Sequence, residues 1–270
     1  MDSEQKTTLR LALMRGEPTK WDLAGNFATF LRLIRDAAQG GADVFITPEC
    51  WLDGYAAADK ESSPERLRSV AQDLETSPYI SHVSHEARDR KMHVCFGFTS
   101  LEKGEVLNAA GLWSPSGELI GIYHKTHLQR HDLQFARGSA LPVWPTPWGP
   151  VGIMICADRR WPETARCLRL QGARLILNPT YGFSGDLNEA MMRTRAYENQ
   201  CFIAFAHPRT GLVTDPSGAV IAKAEGEAPA VLFCDVDLSQ AKDNNHLKDR
   251  RPDLYGAIVE QPGKRTPNGK

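Results

Sequence analysis

No run of apolar residues in this chain comes near the roughly 20 that a membrane-spanning helix needs, so no membrane partner is expected. Charge of one sign is not in excess either. Lys plus Arg number 32 and Asp plus Glu 33, which leaves no strong field to gather nucleic acid or an anionic surface. Arg159-Arg160 and Arg250-Arg251 are isolated pairs, not a basic stripe, so no nucleic-acid partner is expected. The six cysteines, at 50, 95, 156, 167, 201 and 234, contain no C-x-x-C pair and no regular spacing. A disulfide framework and a zinc or other metal site are therefore both disfavoured, and a reducing, cytoplasmic setting fits. Cys95, Cys167, Cys201 and Cys234 read as small core hydrophobes. The opening MDSEQKTTLRLALMRGEP is acidic and polar before its apolar patch and does not read as a signal peptide. No Pro/Gly/Ser linker and no internal repeat divides the chain, which predicts one domain over 1–260. Residues 261–270, QPGKRTPNGK, lack an apolar anchor and read as a flexible tail.

What is present is an alternation of short apolar segments with helical ones. Strands are predicted at 9–14, 42–49, 92–100, 151–156, 173–180, 201–207 and 230–238, with hairpins across Ser116-Gly117 and Ser217-Gly218. The first of those hairpins joins 109–115 to 118–125. Phe27, Phe30, Leu31, Ile34 and Ala38 recur at helical spacing until Gly40-Gly41 stops them. Residues 64–91 read as helix, turn, helix, and 187–200 as a further helix. Hairpins mixed with helical crossovers indicate an α/β fold, its sheets covered by helices on their outer faces.

Three predicted strand ends carry reactive groups. Glu49 closes DVFITPE, Lys125 closes LIGIYHK and Cys156 closes VGIMIC. A carboxylate, an amine and a thiol at the carboxyl ends of strands can converge on one cleft, where α/β folds place ligands. After Cys156 comes a charged turn, then Pro162 and Glu163 at the start of an amphipathic stretch with Ala165, Leu168 and Leu170 apolar. A thiol beside a helix N-terminus is expected to be shifted toward thiolate, as a nucleophile requires.

In order along the chain, TPECWLDGY (47–55), LNAAGLWSPSGELIGIYHKTHL (107–128), GPVGIMICADRRWPETARCLRLQGARLILNPT (149–180), RTRAYENQCFIAFAH (193–207) and VTDPSGAVIA (213–222) resemble the nitrilase superfamily of carbon–nitrogen hydrolases. The likeness runs from about Leu9 to Tyr255. It implies a four-layer α-β-β-α sandwich that assembles as a homodimer or larger homo-oligomer, and an enzyme that needs no metal or organic cofactor. It also implies that Glu49 is the general base, Cys156 the nucleophile, and Lys125 with the backbone N–H of Ala157 the oxyanion donors. Many members carry a second glutamate before an aromatic-x-x-Gly, here Phe135-Ala136-Arg137-Gly138. This chain has His131 and Asp132 instead, either of which is a candidate substitute.

ADRRWPET is similar to a run in the N-carbamoyl-D-amino-acid amidohydrolase group. That likeness implies that Arg159 and Arg160 recognise a substrate carboxylate, to which a guanidinium fork is geometrically suited. The alternative is that Arg160 binds structural carboxylates such as Asp158 or Glu163. His127, Thr180 and Tyr181 are expected to line the cleft. The expectation is cysteine-dependent hydrolysis of a non-peptide C–N bond, amide or N-carbamoyl, in a small carboxylate-bearing substrate. It would run through a thioester and release ammonia or an amine. Nitrile hydrolysis is less favoured because Ala157, not tryptophan, follows the cysteine. Acyl transfer by the same site and a degenerate, non-catalytic binding member remain as alternatives. A thiol oxidoreductase is disfavoured because no second cysteine stands near Cys156.

Overall fold

The computed structural model describes residues 6–183 and 185–260, so the tail read over 261–270 lies outside the described residues. Two six-stranded sheets make the frame. The first has the order β12 (Ala230–Asp237), β1 (Thr8–Arg15), β2 (Val44–Ile46), β3 (His93–Glu102), β4 (Glu105–Trp113), β5 (Leu119–His124). The second runs β11 (Val220–Glu225), β10 (Thr210–Thr214), β9 (Phe202–Ala206), β8 (Leu175–Pro179), β7 (Val151–Ile153), β6 (Val143–Trp144). Parallel pairs at each centre are flanked by antiparallel ones, so both sheets are mixed.

The central strands read as unbroken apolar runs because both of their faces are covered. Along β1, Leu9, Leu11 and Leu13 point into the layer between the sheets, where they join Ile46, Cys95, Ile153, Leu177 and Ala204. The intervening Ala12 and Met14 point outward, into a layer shared with Phe27, Phe30 and Ile34 of α1 (Leu23–Gln39) and Val83 of α3 (Pro78–Arg90). On the second sheet the outward residues Ile176, Ile203 and Phe205 pack under α4 (Pro162–Leu170) and α5 (Asp186–Asn199) through Leu168, Met192 and Ala196. The result is the four-layer α-β-β-α sandwich. Each fully buried Leu, Ile or Phe contributes about 1.5–3 kcal/mol.

Helix starts are marked chemically. Asp22 accepts from Gly25 N ahead of α1, and Ser63 and Ser77 accept from Arg66 N and Ile80 N ahead of α2 (Pro64–Val70) and α3. Proline opens α2, α3 and α4, where a missing N–H costs nothing.

Among the elements, the structure differs from the sequence reading in these respects, and the short β6 is a strand that reading lacked. A hairpin joins β3 to β4 across Lys103 (φ 50) and Gly104 (φ 84), and β4 starts at Glu105, not Ala109. Its charged rim, Glu102-Lys103-Gly104-Glu105, disguised a left-handed two-residue turn. Cys167 is exposed, because it lies on the face of α4 opposite Ala165 and Leu168. The strands holding Glu49 and Cys156 stop early, at Ile46 and Ile153, so both residues sit on the turns beyond.

Candidate active site

Glu49, Lys125 and Cys156 meet between the sheets. They are 0%, 1% and 7% exposed, so the cysteine is the member that solvent reaches. Glu49 arrives on a turn that crosses the first sheet at Gly97. The Thr47 hydroxyl accepts from Gly97 N at 2.9 Å, and a Cβ on Gly97 would lie 2.4 Å from the Pro48 carbonyl oxygen. The next loop holds two left-handed non-glycine residues, Cys50 (φ 43) and Tyr55 (φ 55), a strain that persists only where surroundings over-determine it. The Glu49 carboxylate accepts from Lys125 Nζ (2.8 Å), Asn108 Nδ2 (2.8 Å) and Tyr181 N (3.0 Å).

Lys125 follows the last residue of β5. Its N–H donates to the Asn108 carbonyl (2.9 Å), and its carbonyl accepts from Gly138 N (3.0 Å). The ammonium also donates to Asp132 Oδ2 at 2.6 Å. Burial alone pulls an ammonium pKa down. Here Glu49, Cys156 and Asp132 outweigh it and hold Lys125 well above its ordinary value, so the charge is permanent.

Cys156 opens a 3-10 turn, Cys156–Arg160, in the left-handed region (φ 44). The α-helix starts only at Pro162, and the expected shift toward thiolate is overturned. Burial, reinforced by the Glu49 charge, pushes the thiol up to about 11 against the opposing effects of Lys125, Arg159 and the Tyr181 N–H. At neutral pH Cys156 therefore rests as a thiol. Ala157 is the second residue of that turn, where backbone N–H groups find no partner within the turn.

Asp158, fully buried, ties the two chain segments together. Its carboxylate accepts from Tyr123 OH (2.7 Å), Ile155 N (2.9 Å), His127 N (3.0 Å), Thr126 Oγ1 (3.1 Å) and the His127 ring at Nδ1 (2.8 Å). Arg159 is 1% exposed and donates Nη1 to Cys156 Sγ at 3.3 Å. Its Nε and Nη2 both reach Asn188 Oδ1, and its guanidinium lies over Phe183 and Phe205. Among the described residues no carboxylate pairs with it.

Several expected positions play other parts. Arg160 is exposed and donates to Gln129 Oε1 instead of Asp158 or Glu163, because the Asp158 oxygens are already taken. His127 is held by Asp158 and stacked on Trp161 (4.3 Å). The Thr180 hydroxyl turns back to the Asn178 carbonyl, and its own carbonyl accepts from Glu49 N. Tyr181 offers its N–H to Glu49 while its hydroxyl donates to Glu17. Gly182 abuts the thiol, with an added Cβ only 3.5 Å from the sulfur. His131 reaches Tyr55 OH, not Lys125.

Asn108, Tyr55, Asp158, Asn188 and Gly182 were missed as site residues. Asn108, Tyr55 and Asp158 stand within the segments LNAAGLW, TPECWLDGY and ADRRWPET, and that placement was the available signal. Asn188 lies outside the segments, and only folding brings it to Arg159.

The carbon-nitrogen hydrolase family model matches residues 10–244, and the chain belongs to that family. A hydrolase encoded in the pqqF 5' region of Pseudomonas protegens is 30% identical, the match covering 94% of this chain and 93% of that protein. An (R)-stereoselective amidase of a Pseudomonas species is 30% identical over 89% of this chain and 91% of its own. In fold, the chain is similar to an amidase from Nesterenkonia sp., with a TM-score of 0.78, 24% identity, and 95% and 98% of the two chains covered. The protein is an enzyme of the amidase and nitrilase type.

Proposed function

We propose that the protein hydrolyses the C–N bond of a small amide or N-carbamoyl compound bearing a carboxylate, with Cys156 as nucleophile. The observation that carries this reading is the buried meeting of Glu49, Lys125 and the Cys156 thiol. A thiol near 11 cannot ionise by itself at neutral pH, so Glu49 takes its proton as the sulfur attacks the carbonyl carbon. The oxyanion is met by the Lys125 ammonium and the Ala157 N–H, donors worth about 3 kcal/mol each in such sites. Glu49 then passes the proton to the departing nitrogen, and ammonia or amine leaves a Cys156 thioester. Water, deprotonated by Glu49, attacks the thioester and frees the acid and the thiol.

Arg159 supports the carboxylate part. Among the described residues this buried guanidinium hydrogen-bonds an amide oxygen and a thiol and meets no carboxylate, so it is short of one negative charge. Arg160 stands over the same Phe183 ring, at the rim. Assembly as a homodimer or larger homo-oligomer belongs to the same proposal, and light scattering measures it.

The test is ammonia release from a panel of ω-amides, aliphatic amides and N-carbamoyl acids. Cys156→Ala should abolish release while circular dichroism stays native, and unchanged release would end the proposal. Arg159→Ala should raise KM for an acidic substrate far more than for its neutral counterpart. Equal changes would remove the carboxylate from the reading.

A further inference from the structure

Asp132 is one methylene shorter than the glutamate it stands in for, yet it reaches the Lys125 ammonium at 2.6 Å. It does so from a 3-10 turn, Arg130–Gln134, that is anchored from behind. Its Oδ2 also accepts from Gln129 N (2.9 Å), and its Oδ1 accepts from Tyr55 OH at 2.5 Å. A phenol carries a single hydrogen. With that hydrogen given to Asp132, the Tyr55 oxygen must accept from His131, whose Nε2 lies 2.9 Å away. The hydrogen bonds therefore run in one sense, from the exposed imidazole through the buried phenol to the carboxylate that grips Lys125.

Each link is independently fixed. Tyr55 is 1% exposed and belongs to the same loop as Glu49, with its N–H on the Cys50 carbonyl. Asp53 pins the next turn through Ala56 N and Thr99 N. The Tyr55 ring packs against Tyr181 (5.0 Å), whose N–H holds Glu49, and stands edge-on to His131 (5.6 Å, 88°). Burial, with the charges of Glu49 and Asp132, keeps the phenol protonated and so a donor. An imidazole that carries its hydrogen on Nε2 supplies the donor this geometry requires.

Resting on the amidohydrolase reading above, we propose that Tyr55 and His131 are positioning residues that hold Asp132, and through it the Lys125 ammonium, where the oxyanion forms. They are what lets an aspartate do a glutamate's work at this position.

The variants are Tyr55→Phe, His131→Ala, His131→Gln and the Tyr55→Phe/His131→Ala double. Two readouts are taken: amide turnover, and the pH dependence of Cys156 alkylation by iodoacetamide with Cys156→Ala as blank. Tyr55→Phe should lower kcat about tenfold with KM changed less than about twofold. It should also move the alkylation profile to higher pH, because a looser ammonium depresses the thiol less. His131→Ala should do the same more weakly. His131→Gln should behave as wild type, since the amide N–H replaces Nε2–H. The double variant should be no worse than Tyr55→Phe. Wild-type kinetics and alkylation in Tyr55→Phe, additivity in the double, or His131→Gln as impaired as His131→Ala would each overturn the proposal. If Tyr55→Phe fails to fold, the comparison of Ala with Gln at the exposed position 131 decides by the same criteria. A wild-type protein that turns over no amide sinks the hydrolase reading alone, and the alkylation profile still judges the relay.

Discussion

Cys156 sits under three charges of opposite effect, which makes its ionisation separable by substitution. Glu49 raises the thiol, while Lys125 and Arg159 lower it. Glu49→Gln should therefore bring the thiol below about 11, so that iodoacetamide reacts faster at pH 8, while amide turnover falls by at least about 100-fold if Glu49 is the general base proposed above. Arg159→Met should move alkylation the other way, to higher pH, because it removes a cation 3.3 Å from the sulfur. A parallel fall in alkylation and turnover for Glu49→Gln would show that Glu49 does not act on the thiol through its charge. The contrast explains why reading a thiolate from a helix N-terminus failed. Desolvation outweighs a partial dipole when the sulfur is nearly covered, and the helix begins only at Pro162.

Between neighbouring elements, the site depends on two close approaches. The Glu49 turn lies directly on β3 because Gly97 has no side chain there. Gly97→Ala would drive a methyl into the Pro48 carbonyl, and a loss of about 1–3 kcal/mol is expected, with turnover falling because Glu49 moves. Chemical denaturation and ammonia release measure the two effects. Asp158 links the segment after β5 to the turn after β7, with five donors on one carboxylate. Asp158→Asn replaces one accepting oxygen by an NH2 that faces donors. Stability should fall by about 2–3 kcal/mol, with Lys125 and Cys156 losing register. An Asp158→Asn enzyme of native stability and rate would refute the clamp. No single element displays Asp158 as special, since its donors come from residues 123–127 on one segment and from Ile155 on the other.

The layered architecture also buries titratable groups outside the Glu49, Lys125 and Cys156 cluster, and they bear on the acid response of the fold. His93, at the start of β3 with its ring edge-on to Trp148, is lowered to about 4 by burial. Its folded value lies below its unfolded one. The unfolded chain takes up the proton first, and stability is lost as pH falls from about 6.5 toward 4. Asp53 is raised to about 6 by burial, so its contribution has the opposite sign and stability is lost as pH rises from about 4 to 6. The two largely offset each other. His93→Phe should remove one side of that balance. Relative to wild type, the variant should gain about 2 kcal/mol between pH 7 and pH 4.5. Urea unfolding at the two pH values checks this, and an unchanged difference would mean that His93 does not titrate as its burial dictates. Among the described residues no helix is long and apolar enough to cross a membrane.

Most of the order of elements, the apolar strand runs, the proline at the start of α4 and the carboxylate, amine and thiol near three strand ends were legible in the linear chain, whereas the short β6 and the exact strand ends at Ile46 and Ile153 were not. Local periodicity and turn chemistry act over a few residues, and the motifs are contiguous. Only the folded chain could decide that Asp132, one carbon short, is held to Lys125 by a tyrosine 77 residues away. The same holds for the pairing of Arg159 with Asn188 in place of a carboxylate, and for the thiol's being pushed up instead of down. Those outcomes depend on burial and on which charges share a cavity, and both are set by the packing of one sheet on the other.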